Sequence, residues 1–101
     1  MLTPVCMGSI ISYKGISDEN PALYYASPYS ASGRVNLTIL ASDDNGATFS
    51  RSLNLWPTDP GRGAGYTGMA CGLKGADDCG LLFDSQSHGL DFVTFSSKDV
   101  K

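Results

Sequence analysis

The feature that most constrains this chain is a rhythm of short apolar runs cut by turn-forming residues. Residues 35–41 (Val-Asn-Leu-Thr-Ile-Leu-Ala) and 51–55 (Arg-Ser-Leu-Asn-Leu) alternate apolar and polar side chains, the period of a half-buried strand. Val35, Leu37, Ile39 and Ala41 fall on one face. Five further short runs, at 8–13, 22–26, 67–72, 80–83 and 90–95, carry strand-forming residues between clusters of Gly, Pro, Asn and Asp. No stretch repeats its apolar residues with the helical period. The chain is therefore predicted to be all-β, with seven short antiparallel strands and essentially no helix.

Composition agrees with that reading. Twelve glycines and a single glutamate, Glu19, suit turns and strands better than helices. With 101 residues the chain is one small domain at most. At 42% hydrophobic and 17% charged it is not expected to be disordered. A net charge of −3, with seven scattered Lys and Arg, argues against a nucleic-acid partner. No apolar run approaches the roughly 18 residues of a membrane-spanning helix. The first residues lack a basic segment and Pro4 interrupts them, so they do not read as a signal peptide.

Three cysteines, one histidine and no Cys-x-x-Cys leave no zinc site, and no metal or cofactor is expected. Cys71 and Cys79 flank a short turn segment and can face each other across a hairpin. Two small buried thiols in strands is the favoured reading, a disulfide the alternative. Cys6 has no obvious partner. Two segments break the strand rhythm and read as loops: 27–33, and 57–65 with its two prolines and three glycines. About four strands precede the second loop and three follow it. Four-stranded antiparallel units in series are the blades of a propeller, and two blades cannot close a ring.

One motif sharpens this. Ser42-Asp-Asp-Asn-Gly-Ala-Thr-Phe49 fits Ser-x-Asp-x-Gly-x-Thr-aromatic. Asn45-Gly46 supplies a left-handed turn. Asp44 can accept hydrogen bonds from turn amides, Ser42 and Thr48 can close the turn, and Phe49 can pack into the blade below. The segment resembles the Asp-box of the BNR repeat, a structural device of propellers that lies away from their active sites.

The flanking residues extend the likeness. Ser27-Pro28, Arg34-Val-Asn-Leu-Thr38, the Asp-box, Leu55-Trp-Pro57, Gly65-Tyr-Thr67 and Leu81-Leu-Phe-Asp84 occur in the order found near the C-terminal end of exo-α-sialidases, most similar to the lysosomal and bacterial type. The resemblance implies a six-bladed propeller, of which this chain supplies about the last one and a half to two blades. Residues 1–56 are then one blade with the Asp-box, and 57–101 the active-site loop and part of the closing blade. Tyr66 matches the catalytic tyrosine nucleophile. Arg34 matches one of three arginines that grip the substrate carboxylate. Asp84 stands where the family has a glutamate that steadies another of these arginines, and is one methylene shorter. Ser42, Asp44, Gly46, Thr48 and Phe49 form the structural Asp-box.

The same resemblance implies a sialylated glycoconjugate as partner, and a lysosomal or secreted location if the full-length protein carries a signal peptide. The other two arginines, the acid/base Asp and the tyrosine's carboxylate partner belong to blades outside this sequence. The isolated chain is therefore expected to be inactive, and to need the missing blades or to self-associate. The alternative function is a non-catalytic Asp-box module that binds glycan or protein. Asn36-Leu-Thr38 is also a glycosylation sequon, set within a strand that matches the family pattern.

Overall fold

The computed structural model describes residues 8–15, 19–28, 37–55, 67–73, 75, 77–84 and 89–101. They form seven strands: β1 (Ser9–Tyr13), β2 (Ala22–Pro28), β3 (Leu37–Ser42), β4 (Arg51–Asn54), β5 (Thr67–Cys71), β6 (Asp78–Asp84) and β7 (Leu90–Ser96). Strands β1 to β4 make one antiparallel sheet in sequence order, and β5 to β7 make a second. Among the described residues there is no α-helix. A single 3-10 turn, Ser97–Asp99, follows β7 and is capped by the Ser96 hydroxyl, which accepts from the Lys98 amide.

The all-β expectation holds, and strand positions follow from alternation. In the first sheet Ile11, Tyr24 and Ala41 lie in one cross-strand row, and Ala26, Ile39 and Leu53 in the next. In the second sheet the rows are Thr67–Phe83–Asp91, Met69–Leu81–Val93 and Cys71–Cys79–Phe95. These two faces meet. Ala22, Tyr24, Ala26, Leu37, Ile39 and Ala41 share one buried cluster with Cys79, Leu81, Phe83, Phe95 and Val100. Face-to-face burial of two sheets is the standard way for small antiparallel units to form a core. Each fully buried Leu, Ile or Phe contributes about 2 kcal/mol over its exposed state.

Three details differ from the sequence expectation. Cys71 and Cys79 are register partners on β5 and β6 and are joined as a disulfide, not left as free thiols. The register permits this, because a directly opposed pair brings the two Cβ atoms within reach of a disulfide. Second, β2 does not stop at Ala26 but runs on through Ser27 and Pro28, opposite Thr38 and Leu37. A terminal strand position tolerates proline, since little is lost with its missing N–H. Third, the tail turns back after β7. Val100 is buried, its carbonyl accepts from Arg51 Nη1 at 3.1 Å, and the Lys101 amide donates to the Ser52 carbonyl at 3.2 Å.

The outward faces remain partly apolar. Leu82 and Phe92 are cross-strand partners on the outer face of the second sheet, and Phe92 is 58% exposed. Leu90, Leu73 and Ile10 are exposed as well. Phe92 and Leu73 lie directly over Gly80, where a Cβ would collide with both side chains.

The disulfide yields a direct check. Under denaturing, non-reducing conditions the chain should titrate one thiol of its three cysteines, and three after reduction. Cys71→Ser should lower stability by about 2 kcal/mol, the loop-closure value for so short a loop. Three titratable thiols before reduction would contradict the pairing.

Candidate functional site

The antiparallel order divides the molecule into two ends. At one end lie the β3–β4, β1–β2 and β5–β6 connections; at the other β2 finishes, β3 begins, β4 finishes, β5 begins, β6 finishes and β7 begins. The two sheets agree in this polarity. Gly72, at the end of β5, sits near the Tyr13 ring at the end of β1, while Thr67, at the start of β5, contacts β2 close to its finish.

The Asp-box occupies the first end and is a closed hydrogen-bond unit. Ser42 Oγ donates to Asp44 Oδ1 at 2.7 Å and accepts from the Gly46 amide at 2.9 Å. The Thr48 amide donates to Asp44 Oδ1 at 2.8 Å, and the Thr48 hydroxyl to Asp44 Oδ2 at 2.6 Å. Asn45 and Gly46 both have positive φ, 61° and 92°, a conformation that Asn and Gly accept most readily. Phe49 meets the Tyr25 ring edge-on, with centroids 6.4 Å apart. Beside the turn, Asp43 holds Arg51 through two contacts of 2.8 and 2.9 Å, and Arg51 lies over the Tyr24 ring at 5.9 Å. Every carboxylate oxygen of Asp44 is engaged by its own turn. That chemistry shapes a hairpin.

The second end gathers the described strand ends that are adjacent in sequence to two of the predicted site residues. Arg34 and Tyr66 lie outside the described residues, as do Trp56 and Asn36. Their described neighbours do not. Leu37, three positions after Arg34, opens β3; Thr67, bonded to Tyr66, opens β5; Asp84 closes β6 opposite Leu90 and is half-buried. All three strand ends lie on the same side of the shared core. Two described features here were not singled out from sequence. The Thr67 hydroxyl donates to the Ala26 carbonyl at 3.1 Å, a link between the two sheets. Asp91, at the start of β7, points onto the core face in the row of Thr67 and Phe83. Alternation marks position 91 as inward, but strand patterning alone gives no reason for a carboxylate there. Among the described residues no cluster of His, Cys, Asp and Glu is arranged to hold a metal ion.

No protein-family profile matches the chain. A sialidase of Bacteroides fragilis (strain YCH46) is 31% identical over 98 residues, which is 95% of this chain and 18% of that protein. The solved structure of the Hadza microbial sialidase Hz136 superposes with a TM-score of 0.81 at 29% identity, covering 98% of this chain and 19% of that one. The chain is homologous to a segment of a sialidase. Sequence and fold agree on this over nearly every residue, which a turn motif alone does not achieve. The sialidase-like chain thus spans about a fifth of the length of the relatives it matches. The Asp-box hairpin joins β3, six residues long, to β4, four residues long. The Asp-box therefore stands about 20 Å from the start of β3.

The Asp44 unit gives a pH prediction. Its carboxyl is held down to about 2 from an ordinary 3.8, chiefly by the Thr48 hydroxyl, then by the Thr48 amide and the Ser42 hydroxyl. A carboxyl depressed in the folded state stabilises the fold above its unfolded pKa, and that contribution is lost as pH falls through the folded one. The Thr48 amide resonance should therefore titrate with a midpoint near 2 and stay flat in Asp44→Asn. A midpoint near the ordinary carboxylate value would show that the turn does not hold the carboxylate.

Proposed function

We propose that this chain is the segment of an exo-α-sialidase that carries the tyrosine nucleophile, Tyr66, and one carboxylate-gripping arginine, Arg34, and that turnover requires the remaining propeller blades. The observation that carries this reading is topological. The strand ends that flank Arg34 and Tyr66, and the strand end formed by Asp84, share one end of a two-sheet core, opposite the Asp-box.

The chemistry suits these residue types. A sialoside bears a carboxylate on its anomeric carbon. Arg34 supplies a planar guanidinium that pairs with it through charge-assisted hydrogen bonds. An anionic carboxylate nucleophile would be repelled by that group. A phenol approaches neutral, which is why sialidases depart from the two-carboxylate pattern of retaining glycosidases. With a phenol pKa of about 10, Tyr66 needs a carboxylate base and neighbouring cations to attack. In the proposed step Tyr66 Oη bonds to the anomeric carbon as the glycosidic bond breaks. Its proton passes to that base, and an acid protonates the departing oxygen. Water then releases sialic acid and restores the phenol. Both the base and the acid come from outside this chain. Asp84 acts by orienting an arginine from another blade. The substrate class is terminal sialic acid on glycoproteins, glycolipids or oligosaccharides.

Two experiments test this. A fusion in which the full chain replaces the matching segment of the Hadza sialidase should cleave a fluorogenic sialoside. Tyr66→Phe should reduce kcat/KM by at least about a thousandfold, as expected for loss of a covalent nucleophile. A folded fusion whose Tyr66→Phe form keeps full activity would falsify the assignment. The isolated chain should show no turnover and should self-associate, because Leu82, Leu90 and Phe92 are exposed on one sheet. Light scattering that gives a monodisperse monomer would contradict the second expectation.

A further inference from the structure

We infer that Thr67 is a positioning residue for Tyr66, its hydroxyl fixing the start of β5 against β2; this rests on the reading of Tyr66 as the nucleophile. Strand β5 has five residues and two ends to hold. Its far end is tied covalently to β6 by the Cys71–Cys79 disulfide. Its near end is held by two contacts at Thr67. The backbone pairs with Phe83, which is fully buried, and the side chain crosses to the other sheet, where Oγ1 donates to the Ala26 carbonyl at 3.1 Å. Ala26 is itself fully buried, between β1 and β3.

The pairing with Phe83 fixes β5 within its own sheet. It says nothing about how that sheet sits against the other. The Thr67 hydroxyl does, and it acts at the end where β2 finishes and β3 begins, three positions after Arg34 in sequence. One peptide bond separates Thr67 from Tyr66. A shift of β5 along the apolar interface therefore carries the Tyr66 backbone with it. Apolar packing is non-directional and tolerates small slides. A hydrogen bond with a distance and an angle to satisfy does not. The hydroxyl thus converts a packed interface into a defined separation between the backbone that bears the nucleophile and the strand that leads to the carboxylate grip. Misplacing a reacting group by about 1 Å costs on the order of a hundredfold in rate, so a partial slide has a kinetic signature.

The test uses the full chain fused into the Hadza sialidase, with Thr67→Val and Thr67→Ser. Valine keeps the shape of threonine and removes the hydroxyl; serine keeps the hydroxyl. Each protein is melted by circular dichroism, and rates on a fluorogenic sialoside are scaled to folded molecules well below the melting point. Thr67→Val should lose about tenfold or more in kcat, with KM within about twofold, as for an interaction that matters in the transition state. Thr67→Ser should recover to within about threefold of the parent. A merely structural role lowers the melting temperature of Thr67→Val and leaves its scaled kcat unchanged, which overturns the proposal. Equal losses in Thr67→Ser and Thr67→Val overturn it too. A Tyr66→Phe fusion that keeps the parent's full activity instead removes the reading of Tyr66 on which the proposal rests.

Discussion

The face-to-face burial of two small sheets is the constraint on which the rest of this molecule depends. Neither a four-stranded nor a three-stranded sheet has an independent core. Each hides one apolar face only by pressing it against the other, and Tyr24, Ile39, Leu81 and Phe83 end up in a single cluster. That contact sets the polarity of both sheets together and brings the starts of β3 and β5 to one end. Apolar contact alone leaves the two sheets free to slide by small amounts. Directional bonds remove that freedom. Thr67 reaches Ala26 at one end, and Arg51 reaches the Val100 carbonyl at the other.

The two ends carry different chemistry for a physical reason. At the Asp-box end Ser42, Asp44 and Thr48 bond one another, and Arg51 is held by Asp43. These bonds shape the turn. At the opposite end β3 and β5 begin, the strands whose first residues follow Arg34 and Tyr66 in sequence, and the proposed reading assigns the binding of an anionic sugar to those two residues. The chain spans about a fifth of its sialidase relatives, and the proposed reading assigns the groups that activate a phenol and protonate a leaving group to other parts of such a protein. The exposed Leu82 and Phe92 face fits a surface that further polypeptide covers.

Much of the architecture was legible in the sequence because strand alternation and turn chemistry are local. Leu37, Ile39 and Ala41 mark their face without any tertiary information, and Asn45-Gly46 marks its turn. What escaped detection depended on register or on distant partners. Whether Cys71 meets Cys79 is decided by a pairing that a gap of eight residues leaves open. The continuation of β2 through Pro28 depends on β3 lying opposite it. The return of Val100 to Arg51 and the bond from Thr67 to Ala26 join residues 49 and 41 positions apart. The proposed site residues Arg34 and Tyr66 stand out only through the ordered motifs that resemble a sialidase, since a tyrosine in a Gly-rich loop and an arginine at a strand edge are not distinctive alone.

Covalent trapping addresses the chemistry most directly. A fluorinated sialosyl fluoride slows release of a glycosyl–enzyme intermediate, and peptide mapping by mass spectrometry then locates the labelled side chain. For the full chain carried within the Hadza sialidase, the predicted result is a single sialyl adduct on Tyr66 that disappears in Tyr66→Phe. An adduct on any other residue, or turnover without one on Tyr66, would contradict the claim that this segment holds the nucleophile.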